Sequence, residues 1–190
     1  MRHGSLPGSS GRVRPMTLLG EEALHTPCAE VTEFGPGLDR LIEDMFATMY
    51  AAPGVGLAAN QIGVGLRVFV FDCPDDEDNR HLGHVINPRL VETGGVTVRG
   101  PEGCLSLPGL EAGTPRHDYA VVEGVDRHGE EVRIQGTGFF ARCLQHECDH
   151  LDGMVYPQRL DRWRRGSVLR AARRTPWGKK AWSPAAEERA

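Results

Sequence analysis

Apolar positions recur through the chain with two distinct periods. Between Leu38 and Tyr50 they fall at Leu38, Leu41, Ile42, Met45, Phe46, Met49 and Tyr50, the i, i+3, i+4, i+7 spacing of a helix with one buried face, and Pro53-Gly54 closes the run. Residues 67–72 (RVFVFD) read as a strand, and residues 74–80 (PDDEDNR) as a charged loop. Two short strands are expected at 84–91 and 96–99, on either side of Gly94-Gly95. Residues 119–125 and 131–135 form an expected hairpin across Asp126-Arg127-His128-Gly129. From Phe139 to Leu151 the period returns to that of a helix, with Phe139, Phe140, Cys143, Leu144 and Leu151 on one side, and 163–172 is a second, strongly basic helix. A helix, then many strands, then helices predicts an α+β fold: mixed or antiparallel strands around a central helix, with an N-terminal helix and a C-terminal basic helix.

Composition adds boundaries to that pattern. The 190 residues suit a single domain with a core of its own. The Gly-, Ser- and Pro-rich residues 1–12 are expected as a flexible arm, 13–158 as the catalytic domain and 159–190 as a basic tail. The formal charge of −4 hides an asymmetry: the last 32 residues carry ten basic and three acidic side chains, so an acidic body ends in a tail of net +7. The acidic average argues against a dedicated nucleic-acid binder and gives no reason to expect specific DNA binding. The absence of 18 consecutive apolar residues argues against a membrane span, and the start has no apolar signal core. Five cysteines, an odd number without a C-x-x-C pair, argue against a disulfide framework and favour a reducing cytoplasm.

The chemistry concentrates at His146-Glu147-Cys148-Asp149-His150. Residues i and i+4 share a helix face, so both imidazoles reach one metal ion, and Glu147 stands where it can take a proton from water activated there. A catalytic divalent site needs a third protein ligand and an open position. Tyr156 stands where some H-E-x-x-H proteases place a third histidine, and no histidine follows His150. Asp161 downstream, or a cysteine upstream, is left as the third ligand. Cys104, between glycine and a shaped loop in EGCLSLPG, is the candidate cysteine. Cys143, one turn before His146, faces the same side, Cys148 points away, and Cys28 and Cys73 read as core. A third stretch, GVGLAANQIG at 54–63, is dominated by small residues that let another chain pass close, and Gln61 there offers an amide N–H to a carbonyl oxygen.

Taken together, GVGLAANQ at 54–61, EGCLS at 102–106 and QHECDH at 145–150 resemble the peptide deformylase family, its bacterial branch in particular, from about Arg14 to Tyr156. The resemblance implies hydrolysis of the N-formyl group from the starting methionine of new polypeptides, with release of formate. It implies that Cys104, His146 and His150 hold a divalent ion, natively Fe(II), with Zn, Ni or Co able to replace it. It further implies that Glu147 is general base and then general acid, that Gln61 and the N–H of Leu105 stabilise the oxyanion, that Gly56 and Gly103 pair with the substrate backbone, and that Val55, Cys143 and His146 wall the methionine pocket. Some members place an arginine a few residues after EGCLS against the peptide; here Glu111 stands near that place and Arg116 follows, and the contact is left open. Because such substrates emerge from the ribosome, whose surface is anionic, the basic tail is expected to associate with it. Two other readings remain at this point: a zincin-like peptidase, and a non-enzymatic module with a structural metal and an RNA-binding tail.

Overall fold

In the computed structural model, which describes residues 7–181, β2 (Val68–Pro74) is the seam of the molecule. Its side chains alternate between two cores, as the two-residue strand period requires. Val68 and Val70 face α1 (Pro36–Ala51), against Ile42, Met45, Phe46 and Met49. Phe69, Phe71 and Cys73 face α2 (Gly138–Leu151), against Phe140, Cys143, Leu144 and Cys148. A strand buried on both faces reads as a continuous apolar run, and VFVF is one.

One antiparallel sheet runs in chain order through β1 (Gly56–Ala58), β2, β3 (Arg80–Gly103), β4 (Glu111–Val125) and β5 (Glu131–Thr137). The class is α+β, as the two periods predict. Strand lengths differ from expectation. The two short strands expected at 84–91 and 96–99 are one 24-residue strand, β3, that starts earlier and runs on to Gly103. Gly94-Gly95 does not turn the chain; register shifts between Ile86 and Arg89, Leu90 and Glu92, and Gly94 and Thr97 absorb the irregularity while pairing with β4 continues. β4 starts at Glu111 rather than Tyr119 for the same reason, because it follows β3 to the end.

Helix α2 is enclosed. Every residue from Phe140 to Leu151 is buried, whereas Phe139, expected on the core side, is 41% exposed at the helix start. The sheet covers one flank of α2. Apart from α2, a third cluster brings Tyr156 and Leu160 together with Val168 and Ala172 of α3 (Arg162–Arg174) against Leu107 and Leu24. The C-terminal segment is therefore docked on the body through Val168 and Ala172, with Leu169 and Trp177 packed beside them and the arginines of α3 turned outward. Asp161 accepts the backbone N–H of Arg164 (2.9 Å) and caps α3. A short helix α4 (Pro176–Ala181) follows. Of the expected flexible arm, residues 7–12 lie against α1: Gly8 N–H donates to Glu43 (2.8 Å) and Arg12 N–H to Asp44 (2.7 Å). The first six residues of that arm, and the tail beyond Ala181, lie outside the described residues. No helix among the described residues is long and apolar enough to cross a membrane.

Candidate active site

The three motifs meet where α2 passes β1 and the turn between β3 and β4. Cys104 sits at the start of that turn, closed by the Leu107 N–H to Cys104 C=O bond (2.9 Å) and by Gly109 at φ 75°. Its Sγ lies 3.1 Å from His150 Nε2, which lies 3.1 Å from His146 Nε2. The three donor atoms fall within 4.8 Å of one another. Asp161, the other candidate ligand, is engaged at the N-terminus of α3 and does not join them.

The surroundings prepare these atoms for a cation. Glu102, two residues before Cys104, accepts from His146 Nδ1 (2.7 Å), which fixes a proton on that nitrogen and aims Nε2 at the cluster. Burial works against the charge on Glu102, yet the hydrogen bonds from His146 and Arg116 outweigh it and hold the carboxylate well below its usual range. Arg116 grips it through Nε (3.0 Å) and Nη2 (2.6 Å), and Arg142 adds a bond of 2.9 Å. Burial works against a charge on His146, yet its hydrogen bonds with Cys104 and Glu102 hold it well above its ordinary value, so a cation binding there displaces a proton, whereas burial pushes His150 well below its own and keeps it neutral. Two imidazole Nε2 atoms and a thiol crowd one point, where a bound cation would take the place of the protons between them. A divalent ion fits that donor set, which is the mixture of nitrogen and sulfur that Zn and Fe(II) accept.

Beside the cluster, a cavity of about 310 Å³ opens to the surface. Of the residues singled out in the sequence, Val55, Gly56, Gln61, Gly103, Cys104, Leu105, Cys143, His146 and Glu147 all line it. His150 lies beneath, 1% exposed. Glu147 Oε2 is buried without a partner. Burial, the largest influence on it, pushes the carboxyl up to about 7. Gln61 is oriented from behind: its Oε1 accepts from Ala58 N–H (2.9 Å), which turns Nε2 toward Ser106 Oγ (3.3 Å) and Cys104 Sγ (3.5 Å). The neighbouring Asn60 ties this loop to α2, donating to the His150 carbonyl (2.5 Å). Gly56 has a steric cause. A Cβ there would stand 2.4 Å from Glu147 Oε1 and 3.0 Å from Cys143 Sγ, so any other residue displaces the carboxylate.

Arg116 is not available to a peptide. It is 4% exposed and spent on Glu102 and Asp149. Glu111 is exposed, opposite Gly103 in the β3–β4 register, and neither Glu111 nor Arg116 lines the cavity. Cys28, Cys73 and Cys148 are core residues, as expected, and all five thiols are free. The supporting charges Glu102, Arg116, Arg142 and Asp149 were not foreseen in these roles. Only the repeated placement of charge inside motifs, Glu102 before Cys104 and Asp149 before His150, hinted at them.

Three donors with one side left open, and an acid–base carboxylate at the same spot, are what a protein needs to hydrolyse an amide with a bound divalent ion. The class is a metal-dependent hydrolase. The chain matches the polypeptide deformylase family over residues 13–166. It is 70% identical over 179 residues to peptide deformylase 2 of Streptomyces avermitilis, covering 94% of this chain and 96% of that one. It is 52% identical over 163 residues to peptide deformylase 1 of the same organism, covering 84% and 76%. Among solved structures it resembles peptide deformylase from Thermus thermophilus, at 41% identity and a TM-score of 0.79 over 89% of this chain and 99% of that one. The chain belongs to the polypeptide deformylase family, metal-dependent hydrolases that remove the N-formyl group from nascent polypeptides.

Proposed function

We infer that Cys104, His146 and His150 hold one divalent ion, Fe(II) in the cell with Zn, Ni or Co able to replace it, and that Glu147 carries the protons of deformylation. The observation that supports this reading is the convergence of Sγ and two Nε2 atoms beside a buried, unpartnered carboxylate at a cavity. The ion supplies Lewis acidity, making water acidic near neutrality and polarising the formyl carbonyl. Glu147 takes the proton from the attacking water. As charge grows on the formyl oxygen, the Gln61 amide and the Leu105 backbone N–H face it; one preorganised donor of this kind contributes about 3 kcal/mol. Glu147 then gives its proton to the departing amine, because a neutral amide nitrogen leaves poorly.

The peptide enters extended. Among the described residues β1 pairs only with β2, leaving its other edge toward the cavity, and Gly56 on that edge and Gly103 at the end of β3 pair with the substrate backbone. Val55, Cys143 and His146 wall the methionine side chain. The formyl carbon bears only hydrogen, and a pocket closed by Gly56 and Glu147 admits it in preference to bulkier acyl groups. Rates on formyl-Met and acetyl-Met peptides, measured side by side as amine release, test this. The formyl peptide is expected to react at least a hundredfold faster, and equal rates would contradict the reading. Five free thiols suit a reducing cytoplasm, and the outward arginines of α3 suit association with the anionic ribosome.

A further inference from the structure

We propose that Arg159, at the junction with the C-terminal helix, is a positioning residue for the metal ligand His146. The inference rests on His146 being a ligand, as argued above. An unbroken line of charge-assisted hydrogen bonds joins the two. His146 Nδ1 meets Glu102 Oε1 at 2.7 Å. Arg116 bridges Glu102 to Asp149, with Nη2 at 2.6 Å from Glu102 Oε1 and Nη1 at 2.6 Å from Asp149 Oδ2. Arg159 closes the line on Asp149 with a fork, Nε to Oδ2 at 3.0 Å and Nη2 to Oδ1.

Burial gives this line its leverage. The side chains of Glu102, Arg116 and Asp149 are only 3–6% exposed, whereas that of Arg159 is 43% exposed. The inner groups are poorly screened and must remain matched in charge. Arg116 is shared between two carboxylates, and Arg159 supplies the second half of what Asp149 needs. Without it, Asp149 draws Arg116 toward itself, Glu102 loses part of its hold, and the His146 ring is no longer fixed at Nδ1. Arg159 itself is placed by its neighbours. It ends the turn Tyr156–Arg159, anchored by Tyr156 and Leu160 in the cluster that seats α3. The docking of the C-terminal helix is thereby connected to the orientation of a metal ligand.

The test uses the full chain loaded with Zn(II). The Nδ1–H proton resonance of His146 and the rate of zinc release to a chelator are measured for Arg159→Gln, Arg159→Lys and, as a control on the outer face of α3, Arg164→Gln. Groups that orient a ligand through a hydrogen bond typically change metal affinity 10- to 100-fold, and a group three links further out is expected to change it about three- to tenfold. Arg159→Gln is expected to speed zinc release by that factor and move the His146 resonance, Arg159→Lys to recover part of both, and Arg164→Gln to change neither. A variant whose thermal midpoint falls while resonance and release rate stay fixed shows a structural role only and overturns the proposal, as does a variant in which nothing changes. A His146 resonance that does not respond to zinc loading in the unsubstituted chain refutes the ligand assignment itself, which separates that failure from failure of the role of Arg159.

Discussion

Glu147 combines two properties that burial, more than any neighbouring charge, supplies: an oxygen without a partner and a carboxyl pushed up to about 7. In its proposed role as general base Glu147 works only when ionised, so activity is expected to fall as pH drops through its pKa. A divalent ion beside it favours the charged form and lowers that value again. The acid limb of kcat/KM for the metal-loaded protein on a short formyl-Met peptide is therefore expected between the ordinary 4.5 and about 7. A limb above 7, or a profile flat down to pH 4, would contradict the assignment. Gly56 belongs to the same account. Its missing Cβ is the space in which the carboxylate stands, so the small-residue run that read only as room for a passing chain has a second cause within the protein.

Helix α2 is the element on which the site depends, and its start is held from a distance. Thr137, its N-cap, makes no side-chain bond; instead Asp76, in the charged loop between β2 and β3, accepts the N–H of Phe139 (2.9 Å). Replacing such an acceptor costs about 1 kcal/mol. Asp76→Ala is expected to lower the thermal midpoint by about 2–4 °C in a chain of this size, read by calorimetry; an unchanged midpoint would show the contact to be idle. The helix periods of α1 and α2 and the continuous run of β2 were legible in the sequence, because each of these elements buries a whole face and burial imposes periodicity. The length of β3 was not, since Gly94-Gly95 looks the same in a turn as in a bulge until the partner strand is known. Among site residues, those carried by motifs were legible one by one. The grip of Arg116 on Glu102, across 14 residues, and of Glu102 on His146, across 44, arises only when the sheet and helix come together.

At the scale of the molecule, the described part of the basic tail, through Ala181, packs onto the acidic body. Val168 and Ala172 seat α3 on the body, Trp177 Nε1 donates to the Pro108 carbonyl (3.3 Å), and Trp163 stands 83% exposed among outward arginines. Cutting the chain before α3 would uncover Tyr156 and Leu107 and confuse loss of a surface with loss of the fold. Replacing Arg162, Arg165 and Arg170 by glutamine leaves the seat intact. The triple variant is expected to keep full activity on a short formyl-Met peptide and to bind ribosomes more weakly with a shallower dependence on salt, as sedimentation across a salt series would show. Unchanged binding would remove the tail from the account.

The claim on which the rest depends is that the donor set of Cys104, His146 and His150 holds the ion while Glu147 moves the protons. Glu147→Ala separates the two. In one preparation, metal content per chain and formate released from a formyl-Met peptide are measured together. The account predicts about one ion per chain, as in the unsubstituted protein, with formate release lowered by about 10²- to 10⁴-fold, the usual contribution of a general acid–base group. Formate release within tenfold of the unsubstituted rate at full metal occupancy would contradict it.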